Sequence, residues 1–120
     1  MPISETLRAE ALARDQDRCR WCGRTDIPTD LHHIRYRRGS SDDVLENLIL
    51  LDRECHSFVH GIPRTGSKDT IAKAEAQEIL FVLAATPGVT GIALRRQRRA
   101  DGLASQQLLQ PPRPGDFFSG

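Results

Sequence analysis

The residues best equipped for chemistry are His32, His33, His56 and His60, and every histidine of the chain falls within residues 31–61. Histidines kept for packing would be scattered, so this concentration asks for a chemical reason. An imidazole exchanges a proton near neutral pH and is a ready ligand for divalent metals. His56 and His60 are four residues apart. On a helix that spacing puts both rings on one face, where they can converge on one ion. His32 and His33 are neighbours, and in a strand successive side chains leave on opposite sides. They are poorly placed to hold one ion side by side, which suggests divided labour, one binding metal and the other acting on water. A neutral imidazole can take a proton from water. A bound cation can neutralise charge building on a phosphate and on its leaving oxygen. Metal-assisted hydrolysis of a phosphodiester is the chemistry this set suits.

A second constellation lies close by. Cys19 and Cys22 have the Cys-x-x-Cys spacing that lets two thiolates reach one tetrahedral ion. Cys55 supplies a third ligand, and Asp52 stands three residues before it, where a second Cys-x-x-Cys would begin. The expected structural zinc set is therefore Cys19, Cys22, Asp52 and Cys55. On a helix Cys55 is rotated about 100° from His56, so one helix can serve a structural ion and a catalytic ion on different faces.

These side chains need a scaffold. Residues 4–15 read as a helix, with Ser4 as N-cap and apolar residues at Ile3, Leu7 and Ala11. Cys19-Arg-Trp-Cys22-Gly23 reads as a tight knuckle in which Gly23 takes positive φ. Residues 31–35 read as a short strand, 39–43 as a polar loop, 48–51 as a second strand and 53–60 as a short helix stopped by Gly61 and Pro63. A further helix is expected over residues 69–86, capped by Ser67 and ended by Pro87-Gly88. Its segment 79–85 is apolar all round and should be buried against the first helix. Residues 1–104 then form one domain and residues 105–120, rich in proline and glycine, a mobile tail.

The chain has 120 residues, of which 38% are hydrophobic and 5% aromatic. Such a core is modest, and a structural metal would relieve the shortage. The net charge of +1 announces no polyanionic partner by itself. Residues 1–60 carry nine arginines against eleven acids, and residues 61–120 carry eight cations against five acids. Lys68 and Lys73 are the only lysines. Arginine's planar fork suits phosphate oxygens. No apolar run approaches the roughly 20 residues that span a bilayer, so no membrane role is expected. Three cysteines fit a reducing, cytoplasmic setting better than a disulfide framework.

The motifs Cys-Arg-Trp-Cys-Gly, Leu-His-His-Ile, Glu-Asn-Leu-Ile-Leu-Leu and Glu-Cys-His fall in an order that resembles the HNH endonucleases. The resemblance covers roughly residues 14–61 and is closest to small phage and bacterial members with a zinc knuckle. It implies an α+β fold, a ββα-metal (His-Me finger) core over about 31–61 with the knuckle and flanking helices. It implies that His32 ligates the catalytic metal, that His33 is the general base, and that Asn47 braces the loop and orients that base. His56 and His60 would be further ligands of the catalytic ion, which would be Mg²⁺, Mn²⁺, Ni²⁺ or Zn²⁺. The partner would be double-stranded DNA, in a bacterial or phage-infected cell. Arg35, Arg37 and Arg38 follow the first strand and are candidate phosphate contacts. A competing reading is a zinc-stabilised, non-catalytic DNA-binding or assembly module, such as a phage packaging accessory. Asp52 departs from the family pattern, which usually has cysteine there.

Overall fold

A computed structural model of the chain describes residues 3–36 and 38–109. The first helix, α1 (Glu5–Asp15), starts as its sequence dictates: the Ser4 hydroxyl accepts from the Leu7 N–H at 3.2 Å. Two short strands follow, β1 (Thr29–His33) and β2 (Leu48–Asp52). They form an antiparallel ribbon in which His32 faces Ile49 and His33 faces Leu48. Between them the chain makes two 3-10 turns, at Ser40–Asp42 and Leu45–Asn47. β1 begins and ends two residues earlier than residues 31–35, because Ile34 and Arg35 turn away to bond Asn47 instead of a strand partner.

Every residue of β2 is buried. Ile49 and Leu51 join the main core with Trp21, Phe58, Ile79 and Leu83. Leu48 and Leu50 alternate to the other face, and α1 packs along the same strand. A strand covered on both sides reads as a continuous apolar run, which explains why Leu48-Ile-Leu-Leu51 shows no alternation. β2 passes directly into α2 (Arg53–Val59). The Asp52 carboxylate caps that helix by accepting from the Cys55 N–H at 2.7 Å. Gly61, at φ +95°, ends it.

Two further helices close the core, α3 (Lys73–Ala85) and α4 (Gly91–Leu109). Helix α3 starts four residues later than expected, and Ser67 does not cap it. The Ser67 hydroxyl accepts from the Asp69 N–H, while Arg95 of α4 bonds both Asp69 carboxylate oxygens and the Thr70 carbonyl. Those contacts hold residues 69–72 extended and bring Ile71 into the core. Helix α3 packs chiefly on the Leu45–Asn47 turn, α4, β2 and α2 rather than on α1. Its apolar run is also not buried all round, since Val82 and Ala85 face solvent. Helix α4 runs to Leu109, into residues assigned above to the tail; residues 110–120 lie outside the described residues. None of the described helices is long and apolar enough to cross a membrane.

Buried charge ties these layers together. Asp15 and Arg20 pair at 2.5 Å with almost no exposure. Asp15 also accepts from the Leu50 N–H, and Arg20 donates to the carbonyls of Leu83 and Thr86. One ion pair thereby joins α1, the knuckle, β2 and the end of α3.

The knuckle docks on α4 through its backbone. The Gly91 and Ile92 N–H groups donate to the carbonyls of Arg20 and Trp21 at 2.8 and 3.0 Å. A Cβ at Gly91 would meet Trp21 ring carbons at 2.4 and 2.5 Å. Gly91→Ala should therefore destabilise the fold by about 1–3 kcal/mol, the usual cost of overpacking. Urea unfolding monitored by far-UV circular dichroism measures this, and an unchanged midpoint would refute the close contact.

Candidate active site and metal centre

Two groups of metal-ligating side chains form on either side of α2. In the first, ligand atoms of Cys19, Cys22, Asp52 and Cys55 all lie within 4.8 Å of one another. Ligand atoms of a tetrahedral zinc site stand about 3.3–3.8 Å apart for bonds of about 2.0–2.3 Å, so a small contraction around an ion would complete the geometry. The knuckle is shaped by Gly23 at φ +81°, whose N–H donates to the Cys19 carbonyl at 2.8 Å. Asp52 divides its carboxylate: Oδ1 caps α2, while Oδ2 accepts from the Cys22 thiol at 3.1 Å.

A metal bound here would have to displace protons from Cys22 and Cys55. Cys19 is held down to about 6, first by the hydrogen bond from Cys55, and the same bond pushes the Cys55 thiol up. Burial raises Cys22. Burial works against ionising Asp52, yet the Cys55 N–H and the Cys22 thiol hold its carboxyl below the ordinary range. Three thiolates and a carboxylate around a divalent ion would leave net negative charge. The cation placed against it is Arg64, whose guanidinium donates to the Cys55 sulfur.

The second group is His32, His56 and His60, whose ligand nitrogens also lie within 4.8 Å of one another. The ring centroids are 4.7 Å (His32–His56), 5.3 Å (His32–His60) and 4.9 Å (His56–His60) apart. Helix α2 supplies His56 from its last turn and His60 from its C-cap. His32 reaches them from β1. Desolvation, followed by the neighbouring His56 and His60, holds His32 down to about 4. Desolvation likewise lowers His56. Both rings are thus neutral near pH 7, with lone pairs free for an ion. An all-imidazole donor set suits Zn²⁺ or Ni²⁺ better than Mg²⁺ or Mn²⁺.

His33 leaves the strand on the other side and finds a different partner. Its Nε2 lies 2.8 Å from Asp43 Oδ1. If Nε2 carries the proton shared with that carboxylate, Nδ1 keeps a lone pair able to accept one. Asn47 does not touch His33 through any described hydrogen bond. Its side chain accepts from the Arg35 N–H at 2.8 Å and donates to the carbonyls of Asp42 and Arg35 at 3.0 and 3.2 Å. Buried at 2% exposure, Asn47 braces the loop from both ends. It acts on Asp43 and His33 only through the backbone it holds.

Arg35 is exposed, and Arg38 is exposed with its N–H on the Asp42 carboxylate at 2.8 Å. Arg37 lies outside the described residues. Sequence reading missed two side chains at this site. Asp43 was hidden in a polar loop, although an acid ten residues beyond a candidate base was the available signal. Lys73, with Gln77, lines a small hollow beside His32 and His60. No spacing rule connects Lys73 to histidines at such distance in the chain.

Residues 19–61, from the first knuckle cysteine to the glycine that ends α2, match the family model for HNH endonuclease. No curated protein and no solved structure matches the chain.

Proposed function

We propose that this chain, whose residues 19–61 match the HNH endonucleases, is a metal-dependent DNA endonuclease that hydrolyses phosphodiester bonds. The observation that carries the reading is the separation of histidines by partner. Three converge within ligand distance of one another, and the fourth is held by a carboxylate. In this reading His32, His56 and His60 hold the catalytic divalent ion. When bound, that ion would stabilise the charge developing on the phosphate and the leaving oxygen. His33 accepts the proton of the attacking water, and Asp43 fixes the ring and stabilises the imidazolium that forms. Asn47 keeps the loop in shape. Arg35 and Arg38, which are exposed, and Lys73 beside the histidines are available to phosphates next to the scissile bond, and Arg37 is given the same role from its place in the sequence alone. The Cys19, Cys22, Asp52 and Cys55 set holds a structural zinc and is not part of the chemistry.

The test is nicking of supercoiled plasmid by the purified chain after chelation, with Mg²⁺, Mn²⁺, Ni²⁺ or Zn²⁺ restored one at a time. Metal-dependent conversion to open circles supports the reading. Binding of DNA with no cleavage under any metal would favour a non-catalytic module instead.

On this reading Asp43, through its contact with His33, has a measurable share as well. Asp43→Asn should lower kcat about 10–100-fold, the usual effect of removing a group that orients a catalytic or ligating histidine. KM and metal content should be unchanged. An unaltered kcat would remove Asp43 from the mechanism.

A further inference from the structure

On the side of α2 that carries Phe58, the fold leaves an open cavity of about 420 Å³. Phe58, in its wall, is two residues from both His56 and His60 and so is rotated about 200° from each on the helix. The cavity therefore opens away from the proposed catalytic face.

Its lining is strongly cationic. Arg64, Arg95, Arg96 and Arg99 contribute to it, against one acid, Asp69. Arg95 is committed to Asp69 at 2.6 Å, and Arg64 to the Cys55 sulfur. Arg96 and Arg99 have no ion pair among the described residues. Two buried guanidinium nitrogens, Nε of Arg64 and of Arg95, also lack a hydrogen-bond partner there. Those two nitrogens are sealed from solvent and cannot meet a ligand, so it is the surplus charge of the accessible Arg96 and Arg99 that asks for an anion. Thr65 and Ser67 add hydroxyls at the rim, while Phe58 and Trp21 supply an aromatic wall. The Arg95 guanidinium stands 5.4 Å from the Phe58 ring centroid, which holds the fork in place.

We propose that this cavity is a second, non-catalytic site that binds a phosphate group carried on a body of nucleotide size. Guanidinium forks match phosphate oxygens. The volume falls in the range of about 300–1,000 Å³ typical of small-molecule sites, well beyond the needs of a lone inorganic ion. The phosphate has two possible sources, a free nucleotide or the backbone of a polynucleotide. This site does not depend on the endonuclease reading, since none of its residues belongs to the histidine set.

Trp21 is the only tryptophan in the chain, and its place in the wall makes its fluorescence a reporter of occupancy. The full-length chain is titrated with a deoxynucleoside monophosphate, with inorganic phosphate, and with a short duplex lacking terminal phosphates. The duplex arm uses the His33→Ala chain so that no DNA is cut. A saturable response to the mononucleotide, weaker for inorganic phosphate, is expected for a free nucleotide. A saturable response to the duplex that the mononucleotide displaces identifies backbone phosphate, and either result supports the site. Arg96→Ala combined with Arg99→Ala should weaken binding at least about tenfold, or about 1.4 kcal/mol. Both side chains are exposed, so the fold should survive, as circular dichroism would verify. Arg8→Ala, which removes an exposed charge on α1, should bind as the parent chain does. Absence of saturation with all three probes, or equal affinity in the double variant and the parent, overturns the proposal.

Discussion

His33→Ala is expected to lower plasmid nicking by about 10²–10⁴-fold, the contribution typical of a positioned general base, while leaving metal content and folding unchanged. The prediction is selective because His33 stands apart from the other three histidines. Its ring is partly exposed and bonded to Asp43, and it takes no part in the cluster of His32, His56 and His60. Truncation removes neither core packing nor a metal ligand. His56→Ala behaves differently, since it should lose activity and catalytic-ion affinity together. Metal analysis of the two variants separates a base from a ligand. Full nicking activity in His33→Ala would overturn the assignment of the base.

The other large effect is expected at Asp52, where one side chain serves two purposes that substitution can pull apart. Asp52→Asn keeps an oxygen to cap α2 but removes the anionic ligand. Asp52→Cys supplies a thiolate ligand instead and removes the cap, whose loss costs about 1 kcal/mol. If Asp52 completes a zinc site, Asn should release zinc readily and lose most of the stabilisation that the ion supplies. Structural zinc binds with about 10–16 kcal/mol in small domains, comparable to the whole net stability of about 5–15 kcal/mol. Cys should retain the ion. If Asp52 only caps the helix, the order reverses: Asn is nearly neutral, and Cys is the destabilised variant. Zinc content by mass spectrometry and thermal unfolding with and without chelator decide between them.

Much of this was legible in the chain because it depends on short spacings. Ser4 before α1, the Cys-x-x-Cys knuckle and His56 four residues before His60 each specify a local geometry, and each is found in it. Contacts between segments remote in the chain were not legible. Ser67 looked like a cap, and only the reach of Arg95 across to Asp69 and Thr70 shows why the helix waits until Lys73. Nothing local in the run Arg95-Arg-Gln-Arg-Arg99 marks its first residue for burial, yet Arg95 is 9% exposed and lies over Phe58. Asp43 meets His33 only after the Asn47 braces close the loop. Gly91 carries no local signal at all, because the ring that forbids a side chain there lies 70 residues earlier.

The seven residues of α2 have a thermodynamic consequence. The helix begins at Asp52 of the cysteine set and ends with His56 and His60 of the histidine set, so neither set can be displaced without turning the lever that carries the other. If filling the knuckle tightens the first turn of α2 and raises affinity at the histidines, linkage requires the reverse by the same factor. An ion on the histidines must then raise affinity at the cysteines. Loading of the two centres should be cooperative and ordered, with the buried thiolates filling first, and the zinc affinity of the knuckle should depend on which ion occupies a site that shares no ligand with it.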